Sequence, residues 1–124
     1  EYCAEVVNVS RNNTDKISAL LLQDDRPTAI LVSDDILAVS LERVCIENHL
    51  SIPDDLSIIS FNNSLFARLT SPQLTSIDIN SNQLGIEAAS QMINHIENPN
   101  LLATKIIVPH CLIERHSCCK PSST

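Results

Sequence analysis

At 124 residues, with 44% hydrophobic and 19% charged side chains, the chain is sized for one folded domain with a modest core. Its formal net charge is −7, and its eight basic residues are scattered from Arg11 to Lys120. That distribution excludes a DNA-binding surface within the chain, which needs clustered Lys and Arg to displace counterions, and no apolar run approaches the roughly 20 residues of a membrane span.

Residues 4–9 have strand character. Ser10 to Asn13 is a polar loop, and Asn13 or Thr14 is placed to cap a helix in which Ile17, Leu20 and Leu21 follow a helical period. Asp24-Asp25-Arg26-Pro27 ends it, because proline bars the residue before it from helix. Residues 28–32 read as a second strand. Asp35 opens a second helix, whose Leu37, Leu41, Val44, Cys45 and Asn48 share one face. Pro53-Asp54-Asp55 turns the chain into a third strand at 56–61. Strands alternating with helices across short connections predict parallel pairing and right-handed crossovers.

Leu65 to Leu69 fits a helical turn, broken by Ser71-Pro72, and Leu74 to Ile77 a short strand. Asn80 and Gln83 have the spacing of a capping box for a helix carrying Leu84, Ala88, Met92 and Ile96 on one face. Gly85 inside it predicts close packing there, since glycine costs about 1 kcal/mol against alanine in a helix. Asn98-Pro99-Asn100 stops it. Residues 105–108 and 111–113 read as strands, and the polar tail from Ser117 to Thr124 as disordered. The fold class is α/β, an open, mainly parallel sheet flanked by helices.

Two apolar segments end in polar pairs. Thr28 to Val32 runs into Ser33-Asp34-Asp35, and Leu56 to Phe61 into Asn62-Asn63. Ligands of open α/β sheets sit outside the carboxyl ends of the strands, so these ends point to a polar small-molecule site. A carboxylate accepts hydrogen bonds from sugar hydroxyls, and an amide both donates and accepts. Structural roles compete with this. One aspartate caps the helix beginning near Ile36; with Asp35 in the first turn favouring the helix dipole, Asp34 is free to point outward. The asparagine pair serves equally well as a turn.

Catalysis finds little support. Asp54-Asp55 stands at the amino end of its strand, the opposite edge from Asp34, so the acids do not form a catalytic pair. The four histidines lack metal-ligand spacing, the one glycine rules out a phosphate loop, and no nucleophile elbow is present. The chain is therefore read as a non-enzyme with no catalytic residue, metal or cofactor. Tyr2, Phe61 and Phe66 are its only aromatics, so a ring to stack on a sugar or base has to come from elsewhere. Cys45 and Cys111 read as small core residues and Cys118-Cys119 as tail thiols; five cysteines without C-x-x-C spacing fit a reduced, cytoplasmic setting.

A resemblance runs through Pro27-Thr28-Ala29-Ile30, Ser33-Asp34-Asp35 with Ala38, Ile52-Pro53-Asp54-Asp55-Leu56-Ser57-Ile58, Ser60-Phe61-Asn62-Asn63 and Ser71-Pro72-Gln73-Leu74-Thr75-Ser76-Ile77. Leu84-Gly85, Pro109 to Ile113 and Glu114-Arg115-His116-Ser117 continue it. In this order, over most of the chain, the series resembles the regulatory domain of the LacI/GalR transcriptional repressors. The Ser-Phe-Asn-Asn-Ser variant further resembles the maltose-operon branch.

The resemblance implies a two-lobed, type I periplasmic-binding-protein-like domain with a small-molecule effector, a sugar, between the lobes. Residues 1–117 would supply its carboxyl-terminal part, with a tail at 118–124. The helix at about 81–97 would belong to the other lobe and residues 105–116 would return from it. The chain starts at Glu1 within strand-like sequence, as a fragment does, so the helix-turn-helix that binds operator DNA and most of the amino-terminal lobe are expected outside it. So are an arginine and the aromatic residues that complete such a pocket. Asp34 matches the family's effector-contacting Asn or Asp, and Asn62 the first of a pair that is usually Asp-Asp. Asp35 matches the adjacent acid, in its capping role. Val39, Arg43 and Ile46 with Phe66, Leu69 and Thr70 match the contacts of a homodimer. A sugar-binding protein of a transport system, which shares the two-lobed fold, is the alternative.

Overall fold

The computed structural model describes residues 4–9 and 14–121. The elements are α1 (Thr14–Leu21), β1 (Ala29–Leu31), α2 (Asp35–Glu47), β2 (Ser57–Phe61), α3 (Leu65–Leu69), β3 (Thr75–Asp78), α4 (Ser81–Glu97) and β4 (Cys111–Ile113). Asn13, the proposed cap, the loop from Ser10, and Tyr2 and Cys3 lie outside the described residues. Among those described, no helix is long and apolar enough to cross a membrane.

Four strands form one sheet in the order β1-β2-β3-β4. β1 pairs β2 in parallel, with Leu31 beside Ile59; β2 pairs β3 in parallel, with Phe61 beside Ile77. β4 closes the edge antiparallel, Ile113 opposite Ser76. Parallel pairing puts the carboxyl ends of β1, β2 and β3 on one edge. This is the open, mainly parallel α/β architecture expected from the alternation of strands and helices.

The core lies where α1 and α2 cover the sheet. Ile17 and Leu21 of α1 meet Leu41, Val44 and Cys45 of α2, above Leu56, Ile58, Ala67 and Leu74. These α2 positions are spaced three and four apart, which is why one helix face suffices to bury them. Burying a leucine of this kind contributes roughly 1.5–3 kcal/mol. Burial also pushes the Cys45 thiol up to about 11, so it acts as a small apolar side chain.

Several sequence expectations are corrected. Residues 4–9 form no strand, and Val6 is 95% exposed; no neighbouring strand among the described residues offers them backbone partners. Residues 105–108 form none for the same reason, and β4 begins only at Cys111, itself exposed rather than in the core. Asn80 does not cap α4 with its side chain: it adopts φ 54, while Gln83 bonds to Glu87 at 2.8 Å instead of completing a capping box. Gly85 is not closely packed, because a Cβ there would meet nothing within 4 Å. No residue of α4 is buried.

The tail is the largest correction. Ser117 is fully buried; its hydroxyl donates to Ile58 O at 2.6 Å and accepts from Thr75 N at 2.8 Å. Ile58 N donates to Ser117 O at 2.8 Å, and Cys119 N to the Ser57 hydroxyl at 3.2 Å. Residues 115–119 thus satisfy backbone groups at the amino-terminal ends of β2 and β3. A polar composition signals disorder only when no buried backbone needs those polar groups.

Candidate functional site

The carboxyl edge of the parallel strands carries Asp34, Asn62 and Asp78. Asp34 follows β1 and is the N-cap of α2: in extended conformation (φ −158), it accepts the Leu37 amide at 2.9 Å. The capping role expected of Asp35 therefore falls to Asp34. Asp34 is half-buried, its carboxylate held by the helix start at this edge.

Asp35 is instead the buried polar centre behind the edge. Its Oδ1 accepts the hydroxyls of Ser60 and, at 2.8 Å, Ser76; its Oδ2 accepts Ser64 N at 2.6 Å. Burial alone would raise its pKa, but the hydrogen bonds from Ser60, Ser64 and Ser76 outweigh that and lower it below the ordinary carboxylate value. One acid thereby joins α2, β2, β3 and the approach to α3. A sequence signal for this existed in Ser60. It occupies a buried position in an otherwise apolar alternating strand, and a buried hydroxyl requires a partner.

The two asparagines divide. Asn62 is exposed at φ 95, its backbone N–H bound to Ile77 O at 2.9 Å. Its side chain makes no hydrogen bond among the described residues and is available to a ligand. Asn63, at φ 46, turns inward. Its amide donates to Asp78 Oδ2 at 2.9 Å and accepts from the Arg115 guanidinium, which also donates to Leu74 O at 2.6 Å. The Asn63 amide and the Asn80 N–H together hold the Asp78 carboxyl below the usual range. Both asparagines make the turn with their backbone, and the one whose side chain stays unbonded among the described residues, Asn62, is the ligand candidate. Asp78 and Arg115, which only the folded sheet brings to Asn63, escaped sequence reasoning.

Asp55 is occupied at the opposite edge: Arg26 donates to its carbonyl at 2.9 Å, and Ser51 N to its carboxylate at 2.8 Å. Among the described residues no cluster of His, Cys, Asp and Glu could hold a metal.

A second surface lies on α2 and α3. Ile46 is 68% exposed, Leu69 70% and Phe66 49%; Arg43 is exposed beside them, and Val39 and Thr70 are half-buried. Five of the six proposed contact residues therefore sit on two helices that pack on each other, and Thr70 is the C-cap of α3. Beneath them Glu42 is buried, and burial pushes its carboxyl from the ordinary 4.5 up to about 7, with the neighbouring Thr70 hydroxyl opposing this only weakly.

Residues 3–118 match the family described as a periplasmic binding protein-like domain. The ribose operon repressor of Haemophilus influenzae is 35% identical over 98 residues, 78% of this chain and 30% of its own length. The regulator NtdR of Bacillus subtilis is 35% identical over 94 residues, 75% of this chain and 29% of its own. MalR of Staphylococcus xylosus is 36% identical over 91 residues, 73% and 27%. A structure named as a LacI transcriptional regulator, from Bacillus cereus subsp. cytotoxis, superposes with TM-score 0.85 at 34% identity, over 92% of this chain and 40% of that one. A LacI family regulator from Enterococcus faecium with bound ribose superposes with TM-score 0.77 at 30% identity, over 88% and 40%. The chain spans less than a third of the length of these curated relatives, 27% to 30%. Sheet order, edge geometry and these likenesses agree: the chain belongs to the periplasmic binding protein-like domain family, in the form found in LacI-type transcriptional regulators.

Proposed function

We propose that this chain is the carboxyl-terminal part of the effector-binding and dimerisation domain of a LacI-type regulator, and that its effector is a sugar. The observation that carries the reading is the exposed Asn62 amide at the carboxyl end of β2, beside β1, the strand that leads into Asp34. Carboxylate and amide together offer acceptors and donors to vicinal hydroxyls. Phe61, half-buried at the end of β2, is the aromatic residue beside Asn62; in this reading the remaining pocket wall belongs to a second lobe outside the chain. The exposed apolar side chains of α4, including Leu84, Met92 and Ile96, suit packing against that lobe.

In this reading the protein is a cytoplasmic repressor that binds operator DNA through a separate domain and homodimerises through α2 and α3. The effector acts because it binds one arrangement of the lobes more tightly than another. The edge binds and does not turn over its ligand. The named relatives include a ribose operon repressor and MalR, and a structural neighbour holds ribose. Pentoses and maltose-type sugars are accordingly the first effectors to try, with control of maltose or maltodextrin utilisation genes as the narrower assignment. Isothermal calorimetry of the intact protein with D-ribose, maltose and maltotriose is the direct experiment. Saturable binding to one of them, lost in Asn62→Ala, supports the proposal; wild-type protein that binds none of them defeats the sugar assignment.

A further inference from the structure

The loop after β2 is held more firmly than a surface turn requires. Asn62 and Asn63 both have positive φ, 95 and 46, a conformation that asparagine tolerates better than other non-glycine residues and that neighbouring groups can fix in place. Here they do. Asn62 N donates to Ile77 O, Asn63 N to the Ser76 hydroxyl at 3.0 Å, and Ser64 N to Asp35 at 2.6 Å.

The Asn63 side chain extends this hold away from the loop. Its carbonyl oxygen accepts from Arg115, just past β4, and its NH2 donates to Asp78 Oδ2 at 2.9 Å. The other oxygen of Asp78 accepts Asn80 N at 2.8 Å, and Asn80, at φ 54, is the residue from which α4 starts. A chain of hydrogen bonds therefore runs from Arg115 through Asn63 and Asp78 to the point where the backbone leaves the sheet.

The chemistry at position 63 matches its neighbours on both sides. A cation needs an acceptor and an anion needs a donor, and an amide is the side chain of this size that supplies both. A carboxylate at 63 would suit Arg115 but oppose Asp78. We propose that Asn63 is a positioning residue for effector recognition. Bridging Arg115 and Asp78, it holds Asn62 in its ligand-facing conformation and ties that loop to the crossover into α4, so that occupancy at Asn62 is transmitted to Asn80. This rests on reading the sheet edge as the effector site.

The test uses the intact protein with Asn63→Asp and with the polarity-exchanged pair Asn63→Asp/Asp78→Asn. In the pair, the amide at 78 donates to the carboxylate at 63, Arg115 keeps its acceptor, and the amide oxygen at 78 still accepts Asn80 N. Two quantities are read: amide hydrogen exchange at 62–64 and 79–82 without sugar, and calorimetric affinity for whichever of D-ribose, maltose and maltotriose the wild type binds. Asn63→Asp is expected to speed exchange in both segments together, leave the core of β2 protected, and weaken sugar binding about tenfold, the scale of one charge-assisted hydrogen bond. The pair is expected to restore both. A purely structural role would instead speed exchange across the sheet. If the wild type binds none of these sugars while the two segments still respond together and recover together, the sugar reading falls and the relay stands. If a sugar binds wild type and Asn63→Asp equally well, or the segments exchange independently, the relay falls and the sugar reading stands.

Discussion

Oδ1 of Asp35 accepts the Ser76 hydroxyl at 2.8 Å across 41 positions of sequence. The same carboxylate takes the Ser60 hydroxyl and the Ser64 amide. Removing it leaves three donors without their partner in the interior. Asp35→Ala is therefore expected to lose about 3 kcal/mol of stability, since each buried unsatisfied donor costs roughly 1–3 kcal/mol and the site relaxes in part. Urea denaturation at neutral pH measures this, and a loss below about 1 kcal/mol would contradict the role assigned to Asp35. The acid limb follows the same residue. Its folded pKa lies below the ordinary value, so its contribution is complete above that value and is lost as pH falls through the folded one.

Glu42 titrates in the opposite sense. Its carboxyl is raised from 4.5 to about 7 in the folded chain, chiefly by burial. Between those values the folded state holds a proton that the unfolded state has released, so stability falls as pH rises through this window. Glu42→Gln removes the titrating group. The variant is expected to gain roughly 1–3 kcal/mol over wild type at about pH 8 and to show little difference near pH 5. Melting curves across that range are the check; equal pH slopes for the two proteins would rule the account out.

Asp34 combines a cap with the proposed ligand contact, and two substitutions separate them. Serine is as good an N-cap as aspartate but carries no charge. Asp34→Ser is expected to keep the melting temperature within a few degrees, as a stability change under about 1 kcal/mol implies, and to weaken sugar affinity about tenfold or more. Asp34→Ala should lose affinity and also about 1 kcal/mol of stability through the missing cap. Wild-type affinity in Asp34→Ser would remove Asp34 from the site.

The apolar patch on α2 and α3 predicts homodimerisation of the intact protein. Leu69 at the end of α3 and Ile46 of α2 are the most exposed apolar members of the patch, at 70% and 68%. Placing a charge on both copies in an apolar contact costs several kcal/mol unless each is paired. Leu69→Lys is expected to shift the intact protein from dimer to monomer in sedimentation velocity at micromolar concentration, with the melting profile of the monomer unit preserved. A dimer that survives Leu69→Lys and Ile46→Glu together would place the interface elsewhere.

The 124 residues alone are expected to self-associate, because α4 exposes Leu84, Ile86, Met92, Ile93 and Ile96 with no buried residue of its own. Light scattering of the isolated chain tests this, and a monodisperse monomer would count against the proposal that α4 packs on a second lobe.

Elements whose order is written in local pattern were legible from the sequence. The 3.6-residue spacing of Leu37, Leu41, Val44 and Cys45 predicts a helix with one buried face, and α2 has it. The strand character of Leu56 to Phe61 after the Pro53-Asp54-Asp55 turn predicts a strand, and β2 is there at Ser57–Phe61. Roles that depend on one residue of register were less legible. Whether Asp34 or Asp35 caps α2 turns on where the first helical hydrogen bond forms, and a shift of one position exchanges a surface acid for a buried one. Roles that depend on distant partners were not legible at all. Nothing near Asn63 in sequence announces Arg115, 52 positions away, and an apolar run such as Lys105 to Val108 carries strand propensity without carrying the neighbouring strand it needs.

The burial of Ser117 has a consequence for the order in which the molecule is made. Thr75 N and Ile58 O reach their side-chain partner only when a residue 42 positions beyond Thr75 has been synthesised. At ribosomal speeds of about 5–20 residues per second, β2 and β3 exist for seconds as emerged chain with unpaired polar groups at one end. Residues 115–119 are thus the closing clasp of the domain. A nascent chain halted before them retains every strand of the parallel sheet and lacks the segment that finishes it.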